Sequence, residues 1–225
     1  MREVLLDTET TGLDPAAGDR IVEVACLELV NHLPTGRRFH TYVNPERDIS
    51  SGAVEVHGLT GEFLALQPRF AEIVEGLLEF LGDSPLVIHN AEFDLAFINA
   101  ELARLGRPAL AAARVVDTLQ IARQKFSGSP ASLDALCRRF GIDLSARVKH
   151  GAMLDTELLS EVYLELIGGR QAGFELVAAT NAGPNQATVE RPGRAPRPHA
   201  PTPEELEAHA ALVAKLREPI WRAGF

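Results

Sequence analysis

Positive charge is what this chain has little of. Its 22 Lys and Arg stand against 31 Asp and Glu, a formal net charge of −9. A protein that grips nucleic acid unaided carries a basic stripe, because its cations must displace counterions from phosphates. With that stripe missing, a polyanionic ligand must be bound weakly or delivered by a partner that raises its effective concentration. Cysteine is scarce as well. Cys26 and Cys137 each lie in apolar patterning, so both read as reduced core residues and the expected compartment is the cytoplasm. No stretch approaches the ~20 apolar residues of a membrane span, and the N-terminus reads directly as a strand with no signal-peptide pattern.

What is present is ordinary for a soluble globular protein. Of 225 residues, 46% are hydrophobic and 24% charged, enough for one sizeable core with length left over. Residues 3–8, 20–30 and 37–43 read as strands. The 31–36 stretch carries Asn, Pro and Gly, so a hairpin and a three-stranded antiparallel meander are expected. The period then changes to 3.6, with Phe70, Ile73, Val74, Leu77, Leu78 and Leu81 on one helical stripe behind Pro68. Beyond it strands and helices alternate. Strand 86–88 precedes a helix capped by Asn90 and ending near Gly106, and strand 114–117 precedes a helix through Phe126. Leu133, Leu136, Cys137 and Phe140 form the next stripe, and a helix over 151–167 stops at Gly168-Gly169. The pattern predicts an α/β protein with a mixed five-stranded sheet flanked by helices.

Composition shifts after Leu176. Residues 178–203 hold six of the fourteen prolines and no aromatic residue, the composition of a flexible linker. Helical character returns from Glu204 to Arg217, with Leu206, Val213 and Leu216 as apolar members. The chain closes on Pro219-Ile220-Trp221-Arg222-Ala223-Gly224-Phe225, which contains its single tryptophan. A tethered terminus of this kind reads as a docking peptide.

Four acids and one histidine stand out within this frame. Asp7 and Glu9 lie two apart on a strand and share a face, so they repel unless a cation lies between them. Asp94 falls on the first turn of a helix, where a carboxylate is also a plain dipole stabiliser. Its neighbour Phe93 suits either core packing or the stacking of a base. His150 falls on a loop before Gly151, with Asp155 in the first turns of the following helix. That histidine can take a proton from water near neutral pH. Taken singly, each has a structural explanation. Together they would converge in the crevice at the strand ends of one sheet, and holding such like charge without metal would cost several kcal/mol. Carboxylates for two hard cations and a base for water are the requirements of a two-metal phosphodiesterase.

The motifs Asp7-Thr8-Glu9-Thr10-Thr11-Gly12, Val56-His57-Gly58-Leu59 and Val87-Ile88-His89-Asn90-Ala91-Glu92-Phe93-Asp94 carry a resemblance. Ser132-Leu133-Asp134-Ala135-Leu136-Cys137 and His150-Gly151-Ala152-Met153-Leu154-Asp155 extend it. The chain resembles the DEDD-type 3′–5′ exonucleases, histidine branch, and among them the epsilon proofreading subunits of bacterial DNA polymerase III. The likeness runs from Met1 to about Gly169 and returns at 220–223. It implies a ribonuclease H-like fold, with two Mg²⁺ or Mn²⁺ ions on Asp7, Glu9, Asp94 and Asp155 and with His150 deprotonating water. It implies contacts to the terminal nucleotide from Thr10, Leu13, His57 and Phe93, beside Asp7, Glu9 and Asp155 at the substrate. One departure is visible. Ser51-Gly52-Ala53 stand where relatives often carry a Glu that helps hold the substrate, with Glu55 close by.

The expected organisation is an exonuclease domain over 1–170, a clamp-binding peptide over 171–176, a Pro-rich linker over 177–203 and a docking segment over 204–225. Residues 171–176 resemble, in position and loosely in spelling, the peptides that bind the bacterial sliding clamp, with Gln171 first and Phe174 and Leu176 as apolar anchors. The resemblance implies that 204–225 attaches to the catalytic alpha subunit through Ile220 and Trp221. It admits a small theta-like subunit as a further partner, and it places the chain at a cytoplasmic, nucleoid-associated replisome. The expected activity is proofreading of DNA 3′ ends, releasing nucleoside monophosphates. The alternatives are a ribonuclease of the same fold, like ribonuclease T or oligoribonuclease, and a scaffold bridging clamp and polymerase.

Overall fold

The computed structural model describes residues 1–145, 147, 149–169 and 201–216. It divides into two units, Met1–Glu175 and Leu176–Phe225. The first opens with strands β1 (Arg2–Thr10), β2 (Ile21–Val30) and β3 (Leu33–Tyr42), the expected antiparallel meander. The hairpin differs from the sequence expectation. The chain reverses at Asn31-His32 alone, both left-handed with φ 51° and 66°, a two-residue turn whose twist suits the flanking strands. Pro34, expected in the loop, pairs opposite Leu29 within β3. A proline is tolerated there because β3 is the edge of the sheet.

Two short helices were not expected. α1 (Ser51–His57) and α2 (Gly61–Leu64) begin at Ser50 and Thr60, whose hydroxyls accept from Ala53 N and Phe63 N. Neither is long enough to display an apolar stripe, and Ser51-Gly52-Ala53 therefore read as loop although it is helical. The remaining elements follow the sequence pattern: α3 (Phe70–Leu81), β4 (Leu86–Ile88), α4 (Ala91–Arg104), β5 (Val115–Asp117), α5 (Thr118–Lys125), α6 (Leu133–Phe140) and α7 (Ala152–Leu166). Asn90 precedes α4 as expected but does not cap it with its side chain. Its backbone is left-handed (φ 66°), and its N–H donates to Asp117 Oδ1 at 3.3 Å.

The sheet order is β3-β2-β1-β4-β5, with β1, β4 and β5 mutually parallel. Side chains alternate across β1, so each face has its own core. Val4 and Leu6 pack with Phe70, Leu77 and Phe97 on the α3–α4 side. Leu5 packs with Leu136, Leu159 and Val162 on the α6–α7 side. Cys26 and Cys137 are buried and free, one in each core. β1 and β4 are parallel neighbours, and the strands that follow them in sequence, β2 and β5, lie on opposite sides of that pair. The crevice at their carboxyl ends is thus a topological switch point, the place where open α/β sheets take ligands.

The second unit contributes α8 (Pro203–Lys215), begun by Thr202 in reciprocal hydrogen bonding with Glu205 and ending two residues short of the expected Arg217. The peptide 171–176, most of the linker, Ile220 and Trp221 lie outside the described residues. Among the described residues no helix is long and apolar enough to cross a membrane.

Candidate active site

The alternation that builds the two cores also aims the acids. Asp7 and Glu9 continue the Leu5 face toward α7, while Thr8 continues the Leu6 face toward α4. The β1–β2 register shifts between Glu9 and Thr10, a bulge of the kind that re-aims side chains beside active sites. Asp94, in the first turn of α4 and 3% exposed, reaches back over the strand end. Its Oδ1 accepts from Thr8 N at 2.9 Å and Thr8 Oγ1 at 2.7 Å. Asp155, in the first turn of α7 and buried, approaches from the opposite face. Ligand atoms of Glu9, His150 and Asp155 lie within 4.8 Å of one another. These groups line a cleft of about 750 Å³ together with Asp7, Asp94, Leu13 and Phe93.

Electrostatically the cluster is under load. Asp7 is held well above the ordinary carboxylate range, by burial first and then by Asp94, Asp155, Glu9 and Glu23. Glu9 is pushed up to about 8, by burial and then by Asp155, Glu23 and Asp94. Asp94 is raised to about 7 by burial, against the lowering pull of its Thr8 hydrogen bonds. Like charges crowded in a desolvated cleft make the proton a stand-in for a cation. A hard divalent ion, which takes all-oxygen ligands, fits this donor set.

Arg147 gives a second sign of the same demand. Its guanidinium donates to both oxygens of Asp155 (2.7 and 2.6 Å), pairs with Asp134, and donates from Nη2 to His150 Nδ1 at 2.8 Å. His150 Nδ1 is also 3.3 Å from Asp155 Oδ2, and the ring is half exposed. Glu23 sits behind the cluster. It accepts from Ala152 N at the start of α7 (3.3 Å) and lies 2.7 Å from His40 Nε2, so it fixes the helix that carries Asp155.

A second pocket of about 400 Å³ adjoins the cleft and shares Glu9, Leu13 and Phe93 with it. Thr10, Gly12, Ser50, Gly52, Ala53, Val56 and His57 complete its walls. Leu13 is 84% exposed at its mouth, whereas Phe93 packs on Phe97 with ring centroids 4.9 Å apart. Phe93 thus has a core contact behind and a pocket surface in front. His57 is buried and accepts from Leu59 N through Nδ1; burial lowers its pKa, against the raising pull of a backbone hydrogen bond to Thr10. Glu55 is exposed on α1 and lies outside this lining.

Asp7, Glu9, Thr10, Leu13, His57, Phe93, Asp94, His150 and Asp155 therefore fall in two adjoining pockets; Gln171, Phe174, Leu176, Ile220 and Trp221 lie outside the described residues. Sequence reasoning missed Thr8, Glu23, Arg147 and the role of Asp134. Thr8 and Asp134 stand inside quoted motifs, but nothing in spacing marks which neighbours of a carboxylate will orient it.

Comparison with known proteins agrees with this geometry. Residues 4–163 match the model of the Exonuclease family. The DNA polymerase III subunit epsilon of Rickettsia conorii (strain ATCC VR-613 / Malish 7) is 47% identical over 222 residues, covering 96% of each chain. The protein of the same name from Escherichia coli (strain K12) is 38% identical over 237 residues, covering 99% of this chain and 98% of that one. Among solved structures, the nuclease domain of 3′hExo, a DEDDh family member bound to rAMP, superposes with a TM-score of 0.63 at 18% identity. That match covers 74% of this chain and 91% of that one. Exonuclease X in complex with 5′ overhanging duplex DNA gives 0.58 at 23% identity, over 73% and 90%. These likenesses place the fold among the ribonuclease H-like exonucleases, as expected.

Proposed function

The chain belongs to the Exonuclease family, and from that premise we propose that it is the proofreading 3′–5′ exonuclease of a bacterial DNA polymerase III. It hydrolyses the terminal phosphodiester of a DNA 3′ end and releases a nucleoside 5′-monophosphate. The observation that carries the chemistry is the crowding of Asp7, Glu9, Asp94 and Asp155 around one cleft at the end of β1, where burial, and for Asp7 and Glu9 the neighbouring carboxylates as well, holds Asp7, Glu9 and Asp94 above the ordinary carboxylate range.

Those four carboxylates would hold the divalent cations, two Mg²⁺ or Mn²⁺, which supply Lewis acidity and charge neutralisation at the phosphate. The protein's own residues do the rest. Thr10, Leu13, His57 and Phe93 would seat the terminal nucleotide in the smaller pocket, which sets the scissile phosphate over the carboxylates. His150, on the open rim, would accept a proton as water attacks phosphorus, and the departing 3′ oxygen stays with the shortened strand. With Nδ1 accepting from Arg147, the neutral ring carries its proton on Nε2. Release of Arg147 from Asp155 and His150 would return that lone pair to the cleft.

The segment 204–225, with Ile220 and Trp221, would dock on the polymerase alpha subunit, and Gln171, Phe174 and Leu176 would meet the sliding clamp, joined by the linker over 177–203. A theta-like subunit is a further partner of this reading. Such tethering answers the net charge of −9, since an acidic nuclease held beside its substrate needs little affinity of its own.

The test is a 5′-labelled primer with a mispaired 3′ end, incubated with Mg²⁺ or Mn²⁺. Stepwise shortening from the 3′ end is expected for the native chain, with loss on the order of 10³-fold or more in Asp7→Ala and His150→Ala. Shortening that needs no cation, or that survives both substitutions, would sink the assignment.

A further inference from the structure

The cleft has a far wall that this mechanism leaves unused. Opposite the pocket of Leu13 and His57, it is closed by α5 and the start of α6, with Leu119, Arg123, Ser132 and Leu133 on its surface. Two arginines line the cleft. Arg147 is committed to Asp155, Asp134 and His150. Arg123, exposed in the last turn of α5, has no hydrogen-bond or ion-pair partner among the described residues. Its charge is felt at the ring of His89, another residue of the cleft. A cation in the last turn of a helix also answers the helix dipole. That role needs no position in a cleft, and Lys125 stands in the same turn, its Nζ donating to Leu166 O at 2.8 Å.

We propose that Arg123 binds the phosphodiester one linkage upstream of the scissile bond. The strand then crosses the cleft from α5 to the α1 pocket, its 3′ nucleotide last. The inference rests on the exonuclease reading above and adds a direction to it. A strand lying over Asp7, Glu9, Asp94 and Asp155 crosses a cleft in which Arg147 is already paired with Asp155 and Asp134, so that Arg123 is the lining arginine left for its next phosphate. A planar guanidinium with no hydrogen-bond or ion-pair partner among the described residues matches a phosphate at that point, two N–H groups to two oxygens. It also gives an acidic chain one built-in phosphate contact where the strand leaves the reacting centre.

The experiment pairs a protein change with a substrate change. Full-length wild type, Arg123→Ala and Arg123→Lys are assayed on a short single-stranded DNA and on the same DNA with a neutral methylphosphonate at that one linkage. For wild type, the neutral linkage is expected to raise KM roughly tenfold, as for loss of about 1.4 kcal/mol. Arg123→Ala should raise KM similarly on natural DNA, with no further rise on the neutral one. The slope of log KM against log salt should fall by about 0.7, the share of one single-strand phosphate contact. Arg123→Lys should recover most of that slope. If the two changes multiply instead, or if Arg123→Ala keeps the wild-type KM and slope, the assignment is overturned. A merely structural loss would multiply in that way, because it would weaken both substrates equally. A wild type that cuts neither DNA would overturn the exonuclease reading itself, and this inference with it.

Discussion

Three carboxyl groups of the cleft hold their protons more tightly than ordinary carboxylates. Glu9 is raised from 4.5 to about 8 and Asp94 from 3.8 to about 7, each with burial as the first cause, and Asp7 is raised as well. A carboxyl raised on folding keeps a proton that the unfolded chain has released. The folded state therefore binds more protons between the two values, and stability falls as pH rises through that window. In a chelator, the melting temperature should drop as pH goes from about 4.5 to about 8. Mg²⁺ or Mn²⁺ should remove most of the drop by taking the place of the protons. A metal-free melting temperature that stays level or climbs across that range would contradict the crowding. These acids were legible because each ends a strand or starts a helix within a short motif. The residues that steady them were not. Thr8 meets Asp94 across 86 positions and Glu23 meets Ala152 across 129, and no local pattern links such pairs.

Elements were legible in proportion to their length. α3 has twelve residues and presents its buried stripe as Phe70, Val74, Leu77 and Leu81, and alternation across β1 assigns its two faces. α1 has seven residues, two turns, too few for a period to register beside Gly52. Its only sequence mark is the cap. Yet α1 builds a wall of the smaller pocket through Gly52, Ala53, Val56 and His57. Ser50→Ala removes the hydroxyl that accepts from Ala53 N, a change of about 1 kcal/mol for an N-cap. Fraying of α1 should raise KM for oligonucleotides several-fold while kcat stays within about twofold, the signature of lost ground-state binding. Steady-state kinetics on a single-stranded oligonucleotide would check this. A fall in kcat at unchanged KM would place α1 in the chemistry instead. The hairpin at Asn31-His32 failed to register for a different reason. Pro34 suggests a loop unless one knows that β3 is the sheet edge, and edge position is a property of topology.

At the scale of the whole molecule, the topological switch point between β1 and β4 gives residues from β1, α4 and α7 a common crevice. The sequence pattern announced a mixed sheet with helices, and the resemblance implied its family. What could not be read in advance was the order of strands, because β4 pairs with β1 across some eighty residues of intervening chain. The acidic surface fits a nuclease that works beside a polymerase, where delivery replaces affinity. The central claim is that the cluster at the end of β1 exists to hold divalent cations at a DNA 3′ end. Calorimetric titration of Mn²⁺ into the full chain, with thymidine 5′-monophosphate present as the product nucleotide, tests it most directly. Two ions per chain are predicted for the native protein, and at least one should be lost in Asp155→Ala. No saturable uptake, or uptake that Asp155→Ala leaves unchanged, would contradict the account.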